Sequence, residues 1–142
     1  SRYQIMQRKP NSFKFDALIK KIENSRYGSP KIRGKNVVAT SRTNTKTGGR
    51  VIEITHYDTV IATIREFLNG DDTFYNITIN SGGYSRGGGG WGDYKPSVTT
   101  KHYLNEILEC YKTGVHIYQK NFEWFFSNDK AYYDNAQFIG VQ

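Results

Sequence analysis

VVATSRTNTKTGGRVIEITHYDTVIATIREF, residues 37–67, is the stretch on which the fold turns. Val, Ile and Thr dominate it, and these β-branched side chains suit a pleated, half-buried surface. TKTGGR offers one hairpin turn and HYD a second, so the stretch reads as two or three antiparallel strands. Within RVIEITH, strict alternation puts Val51 and Glu53 on one face and Ile52 and Ile54 on the other. The Ile52 and Ile54 face is the expected core face. Downstream, NGDD marks another turn before TFYNITIN, residues 73–80. There Tyr75, Ile77 and Ile79 oppose Phe74, Asn76, Thr78 and Asn80, which predicts a strand half buried through its Tyr and Ile face.

Outward from this strand region the period changes. SFKFDALIKKIENS, residues 12–25, carries Phe15, Leu18, Ile19 and Ile22 on one helical stripe behind a capping Ser12. RYGSPKIRGKN, residues 26–36, reads as a loop rich in Gly, Pro and cations. TTKHYLNEILECYKTG, residues 99–114, is the best helix of the chain: Thr99 can cap it, Tyr103 or Leu104, Ile107, Leu108 and Tyr111 form its stripe, and Gly114 stops it. VHIYQKNFEWFFSN reads as a hairpin and KAYYDNAQFIGV as a last strand. Strands on either side of one helix argue for α+β. The expected architecture is an antiparallel sheet of about five to six strands packed on one central helix. An N-terminal helix would sit in a basic arm over residues 1–49, ahead of a core domain over 50–142.

The charge distribution supports that division. The net charge is +7. Residues 1–50 hold thirteen Lys or Arg against two acids, whereas residues 51–142 hold seven against eleven. A basic arm on a mildly acidic body suits an anionic partner, nucleic acid above all, although a merely solubilising arm has the same composition. A lone Cys110 excludes an internal disulfide framework and fits a reducing compartment. No apolar run is long enough to span a bilayer, so no membrane partner is expected.

Between the strand region and the second helix lies SGGYSRGGGGWGDYKPSVTTK, residues 81–101, with seven glycines. Gly87, Gly89 and Gly92 satisfy G-x-G-x-x-G in form, but no helix opens from the motif and the flanking strands are not parallel. Gly-Lys-Ser/Thr is absent. A flexible linker explains the glycines, and not the rings and cations among them. Tyr84, Trp91 and Tyr94 offer flat faces for bases, and Arg86, Lys95 and Lys101 can meet phosphates. That combination holds single-stranded nucleic acid with little sequence preference. Thr99 and Thr100 add hydroxyls at the helix start, and Lys31, Arg33 and Lys35 extend the cationic track into the arm. The competing reading folds Trp91 back against the edge of the core. His56 falls in a turn, His102 on an exposed helical turn and His116 in a strand; with Cys110 they match no zinc spacing. No nucleophile, base and orienting group stand together. The chain therefore reads as a binder without cofactor or metal, not an enzyme.

The run NSGGY, WGDYKPSVTTKHYLNEIL, GVHIYQKNFEWFF and YYDNAQFI, with HYDTVI before it, resembles a small domain family of bacteriophages and prophages. That family carries Gly-Gly-Trp, Thr-Thr-Lys, a helix with Asn, Val-x-x-Tyr-Gln and an aromatic closing strand. The resemblance covers roughly residues 50–139. The matching positions are His56, Thr59, Val60, Ser81, Gly82, Gly83, Thr99, Thr100, Lys101, Asn105, Tyr118, Gln119 and Trp124. Tyr84 stands where the family has Trp, and SRGGGGWGDYKPSV looks like an insertion. The resemblance implies phage origin, a small α+β domain and residence in the cytoplasm of an infected bacterium. Two functions remain open: binding single-stranded nucleic acid, or binding a host protein with Trp91 as the anchor in its pocket.

Overall fold

The computed structural model describes residues 14–23, 31–32, 36–82 and 98–141. In chain order these form α1 (Lys14–Glu23), β1 (Lys31–Ile32), β2 (Val37–Thr43), β3 (Arg50–His56), β4 (Thr59–Asn69), β5 (Asp72–Ile79), α2 (Val98–Cys110), β6 (Ile117–Lys120), β7 (Glu123–Phe126) and β8 (Ala136–Gly140). Six strands make one antiparallel sheet in the order β1-β2-β3-β4-β5-β8, and β6 and β7 form a separate hairpin. The class is α+β, as the alternation of periods predicts. The main sheet has six strands, within the expected five to six, with the β6–β7 hairpin outside it, and two helices rather than one central helix contribute to the core.

Parity accounts for the core. Ile52 and Ile54 of β3 lie beside Ile64 and Ala62 of β4, which in turn face Ile77 and Ile79 of β5. All six are buried. Fully burying each Ile is worth about 1.5–3 kcal/mol, so this face alone commits the sheet to one orientation. Between Thr55 and Ile54 the β3–β4 register slips by one residue, because Thr55 pairs with Val60 and Ile54 with Ala62. Ile61 is the extra residue of this bulge, and both Ile61 and Ala62 end up in the core. Val51 departs from the expectation. It lies on the opposite face yet is buried, outside the main cluster, with Arg42 and Arg65 directly across from it. Long arginine stems of this kind cover apolar surface while the guanidinium stays in water.

The stripe of α1 is as predicted: Phe15, Leu18, Ile19 and Ile22 belong to the same core cluster as the sheet isoleucines. Phe15 meets Tyr103 of α2 edge-on at 5.4 Å. Arg50 donates from its guanidinium to the Ile22 carbonyl at 3.2 Å, which ties the last turn of α1 to the start of β3. The division expected at residue 50 thus falls on the first residue of β3, whose ladder with β2 runs unbroken from Val37–His56 to Thr43–Arg50.

α2 buries Leu104, Ile107 and Leu108, and Tyr111 follows them into the core. Its end is a Schellman motif. Thr113 N–H donates to the Leu108 carbonyl (3.1 Å) and Lys112 N–H to Glu109 (3.0 Å). The left-handed residue is Lys112, with φ 52°, two positions before the Gly114 that the sequence suggests as the stop. Asn105 fastens the β6–β7 hairpin to α2. Its amide donates to the Ile117 carbonyl at 2.9 Å, and its carbonyl oxygen accepts the Ile117 N–H at 2.6 Å.

Two substitutions of opposite sign follow. Lys112→Gly removes the steric cost of a side chain in the left-handed region and is expected to raise stability by about 0.5–1 kcal/mol in urea denaturation. Asn105→Ala leaves both backbone groups of Ile117 without their partner and is expected to lower it by about 2 kcal/mol.

Candidate functional site

The core-face parity that buries Ile52 and Ile54 continues to His56, the last residue of β3. His56 is therefore buried, not displayed in a turn. Its Nδ1 lies 3.3 Å from the Thr100 hydroxyl of α2, and Thr100 is itself buried. Tyr103, one turn further along α2, sets its ring perpendicular to the imidazole at 5.0 Å. Burial holds the His56 pKa below its ordinary 6.5, so the ring is neutral at pH 7. His56 also pairs with Thr59 across a two-residue turn of Tyr57 and Asp58. Tyr57 has φ 53° and is 67% exposed, and its ring lies 4.7 Å from that of His56.

A second group of buried polar contacts lies just past the end of β5. Ser81 is fully buried, and both its N–H and its hydroxyl donate to Asp134 Oδ1 at 2.8 Å. The Tyr132 hydroxyl donates to the same oxygen at 2.7 Å. Burial, and then the bond to Asp134, push the Tyr132 phenol well above the usual range. Gly82 follows with φ +66°, and its N–H donates to Asn80 Oδ1 at 2.7 Å. A Cβ at Gly82 would stand 2.7 Å from the Thr59 hydroxyl and 2.8 Å from its methyl, so the backbone passes over Thr59 at a distance only glycine allows.

These two groups meet at one end of the sheet. The chain leaves at Gly82 against Thr59; Thr59 is the ladder partner of His56; and His56 reaches Thr100, where α2 begins. Among the described residues, the buried polar side chains are His56, Ser81 and Thr100, and all three stand at the two ends of the glycine-rich segment. Ser81 lies where that segment departs, and Thr100, with His56 against it, where it returns.

Of the residues expected to form the site, Tyr84, Arg86, Trp91, Tyr94 and Lys95 lie outside the described residues, as do Gly83, Arg33 and Lys35. Lys31 belongs to β1 and pairs with Val38 at the sheet edge. Thr99 is exposed. Thr100 is buried rather than displayed, with its hydroxyl on His56 at the start of α2. Lys101 is half-buried, and burial holds its pKa below the usual lysine range.

Several positions that the resemblance singled out prove to be structural. Asn105 holds β6, Tyr118 donates to Asp129 at 2.6 Å, and Trp124 is buried edge-on against Tyr132. Sequence reasoning missed Tyr57, Asp134 and Tyr132. His56 carried a signal, since 52, 54 and 56 share parity; Asp134 carried none. Among the described residues no group of three or more His, Cys, Asp or Glu side chains converges as a metal set would. His102 lies 3.9 Å from Glu106 on the surface of α2. No described helix is long and apolar enough to cross a membrane.

The family described as "Kyanoviridae Gp96 protein" matches residues 18–141, and the chain belongs to this bacteriophage protein family. The match reaches well before the residue-50 start of the resemblance seen in the sequence, taking in most of α1 and all of β2. No curated protein and no solved structure matches the chain.

The buried imidazole makes stability depend on pH. The unfolded state takes up a proton near pH 6.5, while the folded state resists it until lower pH. The contribution is thus present above pH 6.5 and is lost as pH falls through 6.5 towards the lowered folded value. The urea midpoint of the wild type should be lower at about pH 5 than at about pH 7.5. A His56→Gln chain should show a shallower fall over the same window.

Proposed function

We propose that this phage-family protein binds single-stranded nucleic acid, DNA or RNA, through the glycine-rich segment that joins β5 to α2. The observation that carries the reading is the clamp at the ends of that segment. The three buried polar side chains of the described core, His56, Ser81 and Thr100, fix where residues 83–97 begin and end. A passive linker gives a fold no reason to place buried polar contacts at its ends, whereas a binding loop gains from anchored ends because less freedom is lost when a ligand arrives. The segment so anchored contains Tyr84, Trp91 and Tyr94 with Arg86 and Lys95. Under this reading the rings stack on bases. The cations, joined by Lys101 and by Lys31, Arg33 and Lys35 upstream, follow the phosphates. Thr99 adds an exposed hydroxyl at the return end. Lys101, held partly out of water, gains most from an anion beside it.

A second reading has its own support. At the far end of the β4–β5 hairpin, Leu68 and Phe67 are exposed and Phe67 stacks on Phe74 at 5.6 Å. β4 spans eleven residues. The hairpin end is therefore about 30 Å from the His56 end of the sheet, and its apolar side chains suit a protein partner.

Fluorescence anisotropy with a labelled single-stranded oligonucleotide at low salt tests the first reading. Binding is expected, with a log–log salt slope of about −3 to −4 if about five phosphates are neutralised. Trp91→Ala should weaken it about tenfold. Absence of binding to both DNA and RNA single strands sinks the proposal. A host protein retained from nuclease-treated lysate, and released by Leu68→Asp, then favours the second.

A further inference from the structure

The turn between β3 and β4 is built from Tyr57 and Asp58, and nothing in turn chemistry asks for tyrosine there. A two-residue hairpin turn with a positive φ favours Gly, Asn or Asp, whose backbones enter the left-handed region at little cost. Tyr57 enters it at φ 53° while leaving 67% of its surface in water. Backbone strain in a bulky side chain is found where the surroundings hold it for a purpose, and burial in the core is not that purpose, since Tyr57 is largely exposed.

What does hold the ring is the clamp itself. Its inner side rests on His56 at 4.7 Å, with the two planes tilted by 46°. His56 is fixed in turn by the Thr100 hydroxyl at 3.3 Å and by the perpendicular Tyr103 ring at 5.0 Å. Tyr103 meets Phe15 of α1 at 5.4 Å. A row of four rings thus runs from the core of the protein to solvent, and Tyr57 is its outer end. The Tyr57 N–H is occupied as well, donating to the Asn36 carbonyl at 2.9 Å, so the turn is held from both sides. Thr59, two residues on, carries Gly82, where the glycine-rich segment leaves the sheet; Thr100, where it returns, is the partner of His56.

We infer that Tyr57 is a base-stacking platform of the nucleic-acid site, taking one unpaired base of a single strand on the outer side of its ring. The inference rests on the reading of the protein as a single-strand binder and assigns it a contact outside the glycine-rich segment. Asp58 is the exposed neighbour of Tyr57 in the turn, and its carboxylate repels phosphate. A base, not the backbone, is therefore what the turn accepts, with the phosphates displaced towards Lys101 beside Thr100. A ring held in place before the ligand arrives loses little freedom on stacking, which is why a rigid turn serves better here than a long flexible side chain.

The test uses the full chain with the Tyr57→Asn, Tyr57→Phe and Trp91→Ala variants, read by anisotropy on single-stranded DNA and RNA oligonucleotides and by thermal denaturation. Tyr57→Asn accepts the left-handed backbone but has no ring. It is expected to melt at or above the wild-type temperature while binding about tenfold more weakly. Tyr57→Phe keeps the flat face and should bind within about twofold of wild type. Tyr57→Asn binding as tightly as wild type, while Trp91→Ala binds more weakly, overturns the platform and leaves the single-strand reading standing. No binding by the wild type overturns both. If Tyr57→Asn disturbs the fold, photocrosslinking of the wild type to a 5-iodouracil oligonucleotide decides. Adducts on the peptide carrying Tyr57 support the platform, and adducts confined to other peptides overturn it.

Discussion

One apolar face of an antiparallel sheet organises this protein. Ile52, Ile54, Ile64, Ile77 and Ile79 come together on it only because β3, β4 and β5 pair in a register that puts every second residue on the same side. A slip of one residue in any of these ladders would send a whole set of isoleucines to solvent. The bulge at Ile61 is the one place where the register shifts, and it shifts without loss, since the extra residue is itself apolar and buried. Two amphipathic helices then close the face. Both are short, α1 at ten residues and α2 at thirteen, so packing rather than intrinsic helix propensity keeps them formed.

The same constraint builds the clamp at the end of the sheet. His56 is on the core face because Ile52 and Ile54 are, and it lies at the edge of that face, where apolar cover gives way to the start of α2. A buried imidazole needs a hydrogen-bond partner, and Thr100 supplies one. The Ser81–Asp134–Tyr132 set meets the same demand next to it, with three donors satisfied by one carboxylate oxygen. The polar anchors of the glycine-rich segment are thus a consequence of where the sheet ends. Ser81 and Thr100, which flank that segment, are fastened to the same fold as the sheet, and the family match runs across residues 18–141.

Much of this was legible from residue types and spacing. Strand alternation named the buried Tyr75, Ile77 and Ile79, and helical spacing named Phe15, Leu18, Ile19 and Ile22. Both signals are local, since they depend only on which neighbours point the same way within one element. The division at residue 50 came from charge, and charge reports on solvent-facing atoms and not on which elements share a core. The apolar stripe of α1 lies in the same core cluster as the sheet isoleucines, although the helix falls in the basic part of the chain. The end of α2 illustrates a different gap. Gly114 was the residue best suited to a left-handed stop, but the hydrogen bonds of Leu108 and Glu109 place it at Lys112.

Composition and periodicity by themselves determined the α+β class, the isoleucine face, both helical stripes and the unusual chemistry of residues 81–101. Only the tertiary structure decided that His56, Thr59, Gly82 and Thr100 meet, that Asp134 serves Ser81, and that Tyr57 stands outermost beside them. These contacts join residues as far apart as Ser81 and Asp134, 53 positions, and depend on how the sheet, its bulge and the two helices are assembled. No local spacing rule carries that information, because the partners are brought together by burial of apolar surface elsewhere in the chain.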